Sequence, residues 1–137
     1  MFIIKGRMYR SSNIYIKAVI DGKTEIGLVR NSFKPTDLPQ GYVVAEFIIN
    51  GELEERKLYD KDFEVYGTGD NVVRYYLKNN DGYMAKSKSD GYFFPVNDSK
   101  KAYLFKYLCI CRDVQKQYKD KKYKLGLVVN PNPPEIC

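Results

Sequence analysis

The sequence predicts an α+β fold: a mostly antiparallel β-meander or small barrel, one C-terminal helix packed on it, and a final short strand. Three observations carry this expectation. Asp21-Gly22, Asn50-Gly51, Asp81-Gly82 and Asp90-Gly91 each stand between strand-like runs, and such pairs favour the positive φ angles of tight hairpin turns. The runs between them are rich in Val, Ile, Tyr and Phe, in places alternating with polar residues, as half-buried strands do. Residues 100–119 instead repeat their apolar residues at helical spacing.

Taken in order, residues 13–20 alternate, with Ile14, Ile16 and Ala18 on one face and Tyr15, Lys17 and Val19 on the other. Residues 23–30 follow across Asp21-Gly22. Pro35 and Pro39 make residues 31–41 an irregular loop. Residues 43–49 form a dense apolar run suited to the interior of a sheet, and the charged residues 52–59 pair back across Asn50-Gly51 as an edge strand. Gly67-Thr68-Gly69-Asp70 is a further turn. Strands are expected over 71–78, 83–88 and 92–96.

The helix is expected from Lys100 to about Lys119, with Asn97-Asp98-Ser99 as its cap. Tyr103, Leu104, Tyr107, Leu108, Ile110, Cys111, Val114 and Tyr118 would fall on one broad arc, and Lys101, Arg112, Lys116 and Lys119 on a neighbouring one beside Phe105. Residues 123–129 alternate as a last strand, before Asn130-Pro131-Asn132-Pro133-Pro134 prevents further pairing. The 137 residues suit a single β-rich domain, 1–137, whose residues 130–137 form an extended proline-rich tail.

Charge is unevenly placed. The net charge is +6, and residues 97–124 hold nine Lys/Arg against three Asp, an excess equal to that of the whole chain. Lys116, Tyr118, Lys119, Lys121, Lys122, Tyr123 and Lys124 interleave cations with aromatic rings; cations meet phosphates and exposed rings stack on bases. Lysines at a helix C-terminus also complement its dipole and solvate a surface, so the same run serves plain solubility. A smaller basic group comprises Lys5, Arg7 and Arg10 near Tyr9, with Lys5, Arg7 and Tyr9 on one face if the segment is a strand.

Several kinds of chemistry are disfavoured. Histidine is absent, which removes the usual acid–base and triad designs. Cys109 and Cys111 lack the further Cys or His partners that a structural zinc site uses and read as two small apolar helix residues; with Cys137 they make an odd count without disulfide spacing. Glu52, Glu54, Glu55, Asp60, Asp62 and Glu64 are interrupted by Arg56, Lys57 and Lys61, the pattern of a solvated hairpin edge. The turn at Gly67 lacks the Gly-Lys-Ser/Thr ending of a phosphate loop. Tyr92, Phe93 and Phe94 serve as a core strand or as a stacking surface. No cofactor is implied.

No run is long enough to cross a membrane and no leader pattern opens the chain, so a cytoplasmic location is expected. Abundant Lys, Asn, Ile, Tyr and Phe point to AT-rich coding, as in low-GC bacteria, their phages or mobile elements. Lys5-Gly6-Arg7, Ile14-Tyr15-Ile16 and Gly27-Leu28-Val29-Arg30 loosely resemble the opening of an S1-type oligonucleotide-binding barrel. The resemblance implies nucleic-acid binding and spans only the first thirty residues; the later strands and the helix depart from it, and it assigns no family.

The functional expectation is a non-enzymatic binding protein for a phosphate-rich ligand: RNA, single-stranded DNA or a nucleotide. Arg112, Lys116, Lys119, Lys121, Lys122 and Lys124 would supply the charge, with Arg7 and Arg10 completing the surface. The alternative is a phage or mobile-element interaction module or inhibitor that meets an acidic protein partner. The third is an enzyme whose site carries no familiar motif.

Overall fold

Hairpin chemistry lays out most of the architecture. The computed structural model describes residues 2–10, 13–33 and 41–130. It contains β1 (Phe2–Ile4), β2 (Arg7–Tyr9), β3 (Ile14–Ile20), β4 (Lys23–Phe33), β5 (Tyr42–Ile49), β6 (Glu52–Tyr59), β7 (Phe63–Thr68), β8 (Val73–Asn79), β9 (Gly82–Lys86), β10 (Phe93–Val96), α1 (Leu108–Gln117) and β11 (Lys124–Val129). Asp21-Gly22 and Asn50-Gly51 carry positive φ at both positions, as expected, and Lys5-Gly6 makes the same turn between β1 and β2. Lys5 is therefore a turn residue and shares no strand face with Arg7 and Tyr9. Its ammonium lies 4.8 Å from the Phe63 ring centroid and donates to the Phe63 carbonyl.

The chain divides into two compact units: Met1–Ile49 with Leu53–Val72, and Asn50–Glu52 with Val73–Cys137. The first contains an antiparallel sheet in the order β6-β5-β4-β3-β7 and the small β1-β2 sheet. Ile14, Ile16, Ala18, Val29, Val43, Ala45, Phe47 and Phe63 form its core together with Ile4. The expected alternation of residues 13–20 is met, except that Tyr15 is also buried. Residues 43–49 belong to an interior strand and residues 52–59 to an edge, as the apolar and charged compositions require. Register shifts between Val29 and Asn31 and between Tyr15 and Ile16 mark bulges, which increase local twist. Among the described residues no closed barrel forms.

Two expectations in this unit are corrected. Asn31, Ser32 and Phe33 are not loop but the end of β4, paired with Val44, Val43 and Tyr42. The bulge resets the register, and Phe33 stacks on Tyr42 at 4.9 Å. Residues 34–40 lie outside the described residues. Gly67 and Thr68 are likewise not turn but the end of β7, paired with Tyr15 and Ile14, and the turn begins at Gly69, whose N–H donates to the Asn13 carbonyl at 2.8 Å.

The second unit holds an antiparallel sheet in the order β10-β9-β8-β11 with α1 against β8. Here the helix expectation needs its largest correction. α1 spans only Leu108–Gln117. Asp98 does cap a turn, accepting from the Lys100 N–H, but that turn is a 3-10 helix of Ser99–Lys101. Residues 102–106 are then extended. Phe105 and Tyr75 exchange both backbone hydrogen bonds, at 2.7 and 2.9 Å, and the Tyr103 N–H donates to the Met84 carbonyl at 2.9 Å. The segment occupies the gap where β9 leaves β8, since these two strands pair only at Lys78–Tyr83 and Asn79–Gly82.

Extended geometry sends alternate side chains to opposite sides. Tyr103 and Phe105 accordingly join Phe93 and Tyr118 in an aromatic cluster with ring separations of 4.7–6.0 Å. The helix itself buries Cys111 and Val114 and leaves Ile110 half exposed, so its apolar stripe is narrower than the arc expected. Lys101 is not on the helix. Of the Tyr92-Phe93-Phe94 trio, Phe93 is a cluster residue, whereas Tyr92 and Phe94 are exposed.

Gly27 illustrates how tightly the first core is built. A Cβ there would sit 2.6 Å from the ring of fully buried Phe47, which has no room to retreat. Gly27→Ala is expected to lower stability by about 1–3 kcal/mol, the usual cost of overpacking a core, read as a lower urea midpoint at unchanged m-value.

Candidate functional site

The lysines of the C-terminal segment are placed by the way α1 ends. After Gln117 a 3-10 turn covers Lys119–Lys121, and Lys122 takes the left-handed conformation at φ 55°. The Lys122 N–H donates to the Lys119 carbonyl at 3.2 Å, satisfying one of the carbonyls orphaned at the helix end. The chain then reverses into β11. Asn79 Nδ2 donates to the Lys121 carbonyl at 2.9 Å, and Gln115 Nε2 donates to the Tyr123 carbonyl at 2.8 Å. The corner is thus held by side chains from β8 and α1.

This corner walls a cavity of about 800 Å³, within the range of roughly 300–1,000 Å³ common for small-molecule sites. Four lysines line it: Lys78, Lys121, Lys122 and Lys124. Asn79, Asn80 and the Tyr76 ring share the wall, and two carboxylates, Asp81 and Asp120, oppose the lysines. The excess is positive, and the amides add neutral donors. Lys124 is ion-paired with Glu52, whose carboxyl is held below its ordinary value by the hydrogen bond and charge of Lys124 and, more weakly, by Arg112.

A smaller cavity of about 240 Å³ lies between Gln115, Lys116, Lys119, Lys122 and Tyr123. Lys122 therefore borders both cavities. Of the residues singled out from sequence, Lys121, Lys122 and Lys124 meet at the larger cavity, and Lys116 and Lys119 join Lys122 at the smaller. Arg112 lines neither; its Nε is buried without a hydrogen-bond partner. Arg7 and Arg10 belong to the first unit, where Arg7 lies 5.3 Å from the centroid of Tyr9.

The aromatics of the basic run do not face solvent as stacking rings. Tyr123 is buried, and its phenol is pushed up by burial and by Asp81 and Tyr118, against a hydrogen bond with Asn79. Tyr118 packs edge-on against Phe93 at 5.9 Å. Two further rings that border a concavity are Tyr76 and Tyr83, which sequence reasoning missed. Both line a third cavity, of about 600 Å³, with Leu104, Ala102 and Val128. The signal for Tyr76 was present: Arg74, Tyr76 and Lys78 alternate onto one face of β8, opposite buried Val73, Tyr75 and Leu77.

Cys111 is buried and its thiol is raised to about 12 by burial. Cys109, two residues earlier, is exposed, because such a step places residues on roughly opposite sides of a helix. The pair cannot approach one ion from the same face. Among the described residues no group of three metal-ligating side chains is assembled, and no helix is long and apolar enough to cross a membrane. Cys137 lies outside the described residues.

No protein-family model, curated protein or solved structure matches this chain. The S1-type likeness of the opening residues thus gains no support from a family match.

The thiols give a check on the corner's geometry. In a Cys137→Ser variant at pH 8, native protein is expected to give one rapidly reacting thiol with an aromatic disulfide reagent, from Cys109, and two after denaturation. A raised thiol carries almost no thiolate at that pH, so fast reaction of both in the native state would contradict the burial of Cys111.

Proposed function

We propose that this protein is a binding protein for a phosphate-bearing ligand, of the class of RNA, single-stranded DNA or a nucleotide, and that the lysine-lined cavity is where the phosphates sit. The observation that carries the reading is the convergence of Lys78 from β8 with Lys121, Lys122 and Lys124 from the α1–β11 corner on one concavity. Three of the four were singled out from charge distribution alone. The fourth comes from a different strand, which a merely solubilising helix tail does not require.

Electrostatics set the character of such binding. Exposed lysines are point charges with flexible stems, so they neutralise phosphate without dictating base identity. Asp81 and Asp120 lower the potential and limit indiscriminate anion capture. The Glu52–Lys124 pair keeps one lysine engaged until a stronger anion competes for it.

Fluorescence anisotropy of a labelled single-stranded RNA decamer over a salt series tests the reading. Affinity is expected to fall with a log–log slope of about −0.7 per phosphate contacted, and a Lys121→Glu, Lys122→Glu variant is expected to lose most of it. Absence of binding by the wild-type chain at low salt, for the decamer and for a labelled nucleoside triphosphate alike, overturns it. Glu52→Gln is expected to tighten binding about two- to fivefold by releasing Lys124, the exchange value of an exposed ion pair. Because the Glu52 carboxyl is depressed, its protonation at acid pH has the same sign: affinity rises as pH falls through its lowered value and is constant well above it.

A further inference from the structure

We infer that Tyr76 is a base-stacking residue, and that the two cavities it borders take the two halves of one nucleotide unit: base in the apolar cavity, phosphate among the lysines. This deepens the phosphate-binding reading and rests on it.

The geometry begins with a missing side chain. Gly126 of β11 pairs directly with Tyr76 of β8, and opposed residues in an antiparallel pair point to the same side of the sheet. A Cβ on Gly126 would fall 2.1–2.5 Å from Tyr76 ring carbons. The ring therefore lies flat across the Gly126 backbone, a position no other residue at 126 permits. One face of the ring is spent on the glycine, as when an aromatic covers a strand glycine. The same residue borders both the lysine-lined cavity and the apolar one.

The apolar cavity matches the flat, weakly polar surface of a base. Tyr83 stands 5.6 Å from Tyr76, its ring tilted by 50°, so the two rings form a corner rather than a closed stack. Leu104 and Val128 supply the remaining apolar wall, and Ser99 and Lys100 its polar rim. Lys78 already lies over Tyr83, 5.0 Å from its centroid, which leaves Tyr76 as the ring offered to a ligand. A phosphate ion alone would use only the lysine side, and an apolar ligand only the other. A nucleotide spans an anionic group and a planar ring, as this pair of cavities does.

The experiment compares two labelled single-stranded DNA decamers of equal charge, one of thymidines and one of abasic residues, with the full chain at one low salt concentration. Wild-type protein is expected to bind the base-bearing strand at least about fivefold more tightly, the lower end of what one stacked base contributes. Tyr76→Phe is expected to retain this preference. Tyr76→Ile keeps apolar bulk above Gly126 without a ring, and is expected to abolish the preference. Competition by thymidine triphosphate against inorganic tripolyphosphate then tests the single nucleotide unit: preferential displacement by the nucleotide means that a free nucleotide suffices, and equal displacement overturns the assignment of the two cavities to one nucleotide. Equal binding of the two decamers by wild type overturns the stacking role of Tyr76 and leaves the lysine reading standing. Binding of neither decamer, and of no labelled thymidine triphosphate either, overturns both. The wild-type comparison decides even if Tyr76→Ile fails to fold.

Discussion

The second unit depends on one reciprocal pair of backbone hydrogen bonds, between Phe105 and Tyr75. β9 pairs with β8 over only two positions before turning towards β10, and an unpaired stretch of β8 would leave buried donors and acceptors open at a cost of about 1–3 kcal/mol each. The chain after the 3-10 turn at Ser99–Lys101 closes that gap. Doing so fixes residues 102–106 as extended and delays the helix to Leu108. It also sorts the side chains, with Tyr103 and Phe105 into the aromatic cluster and Ala102 and Leu104 into the wall of the apolar cavity.

A second constraint works at closer range. β11 is an edge strand with a glycine in its interior, normally a weak point. Tyr76 covers that glycine, and the same ring divides a lysine-rich concavity from an apolar one. Structural repair and the proposed ligand recognition therefore fall on one residue. The lysines around it are exposed and owe their convergence to backbone geometry: the left-handed Lys122 reverses the chain, while Asn79 and Gln115 hold the corner through its carbonyls.

The first unit is built on different terms. Its sheet is paired through bulged registers around a core in which Gly27 makes room for Phe47. Its charged edge is occupied internally: Arg56 bridges Glu54 at 2.8 Å and Asp21 at 3.1 Å, and Lys57 lies 4.4 Å from the centroid of Tyr42. Exposed pairs of this kind add little stability, but charge along an edge discourages pairing with other chains.

Turn chemistry and period-2 patterning are local, so the sequence by itself determined the antiparallel class, the hairpins at Asp21-Gly22 and Asn50-Gly51, the interior and edge strands of the first sheet, and the lysines of the C-terminal run. Apolar residues at 103, 105 and 107 fit a strand period as well as a helical arc, and the choice between them was made by a distant partner, Tyr75, whose backbone hydrogen bonds with Phe105 no local window reveals. Lys78 and Tyr76 stood in plain view as alternating strand residues, yet their meeting with Lys121, Lys122 and Gly126 needed the β8–β11 pairing, a contact between segments nearly fifty residues apart in the chain. Tertiary structure decided the site because a cavity is a property of several segments at once, whereas charge and periodicity are properties of one.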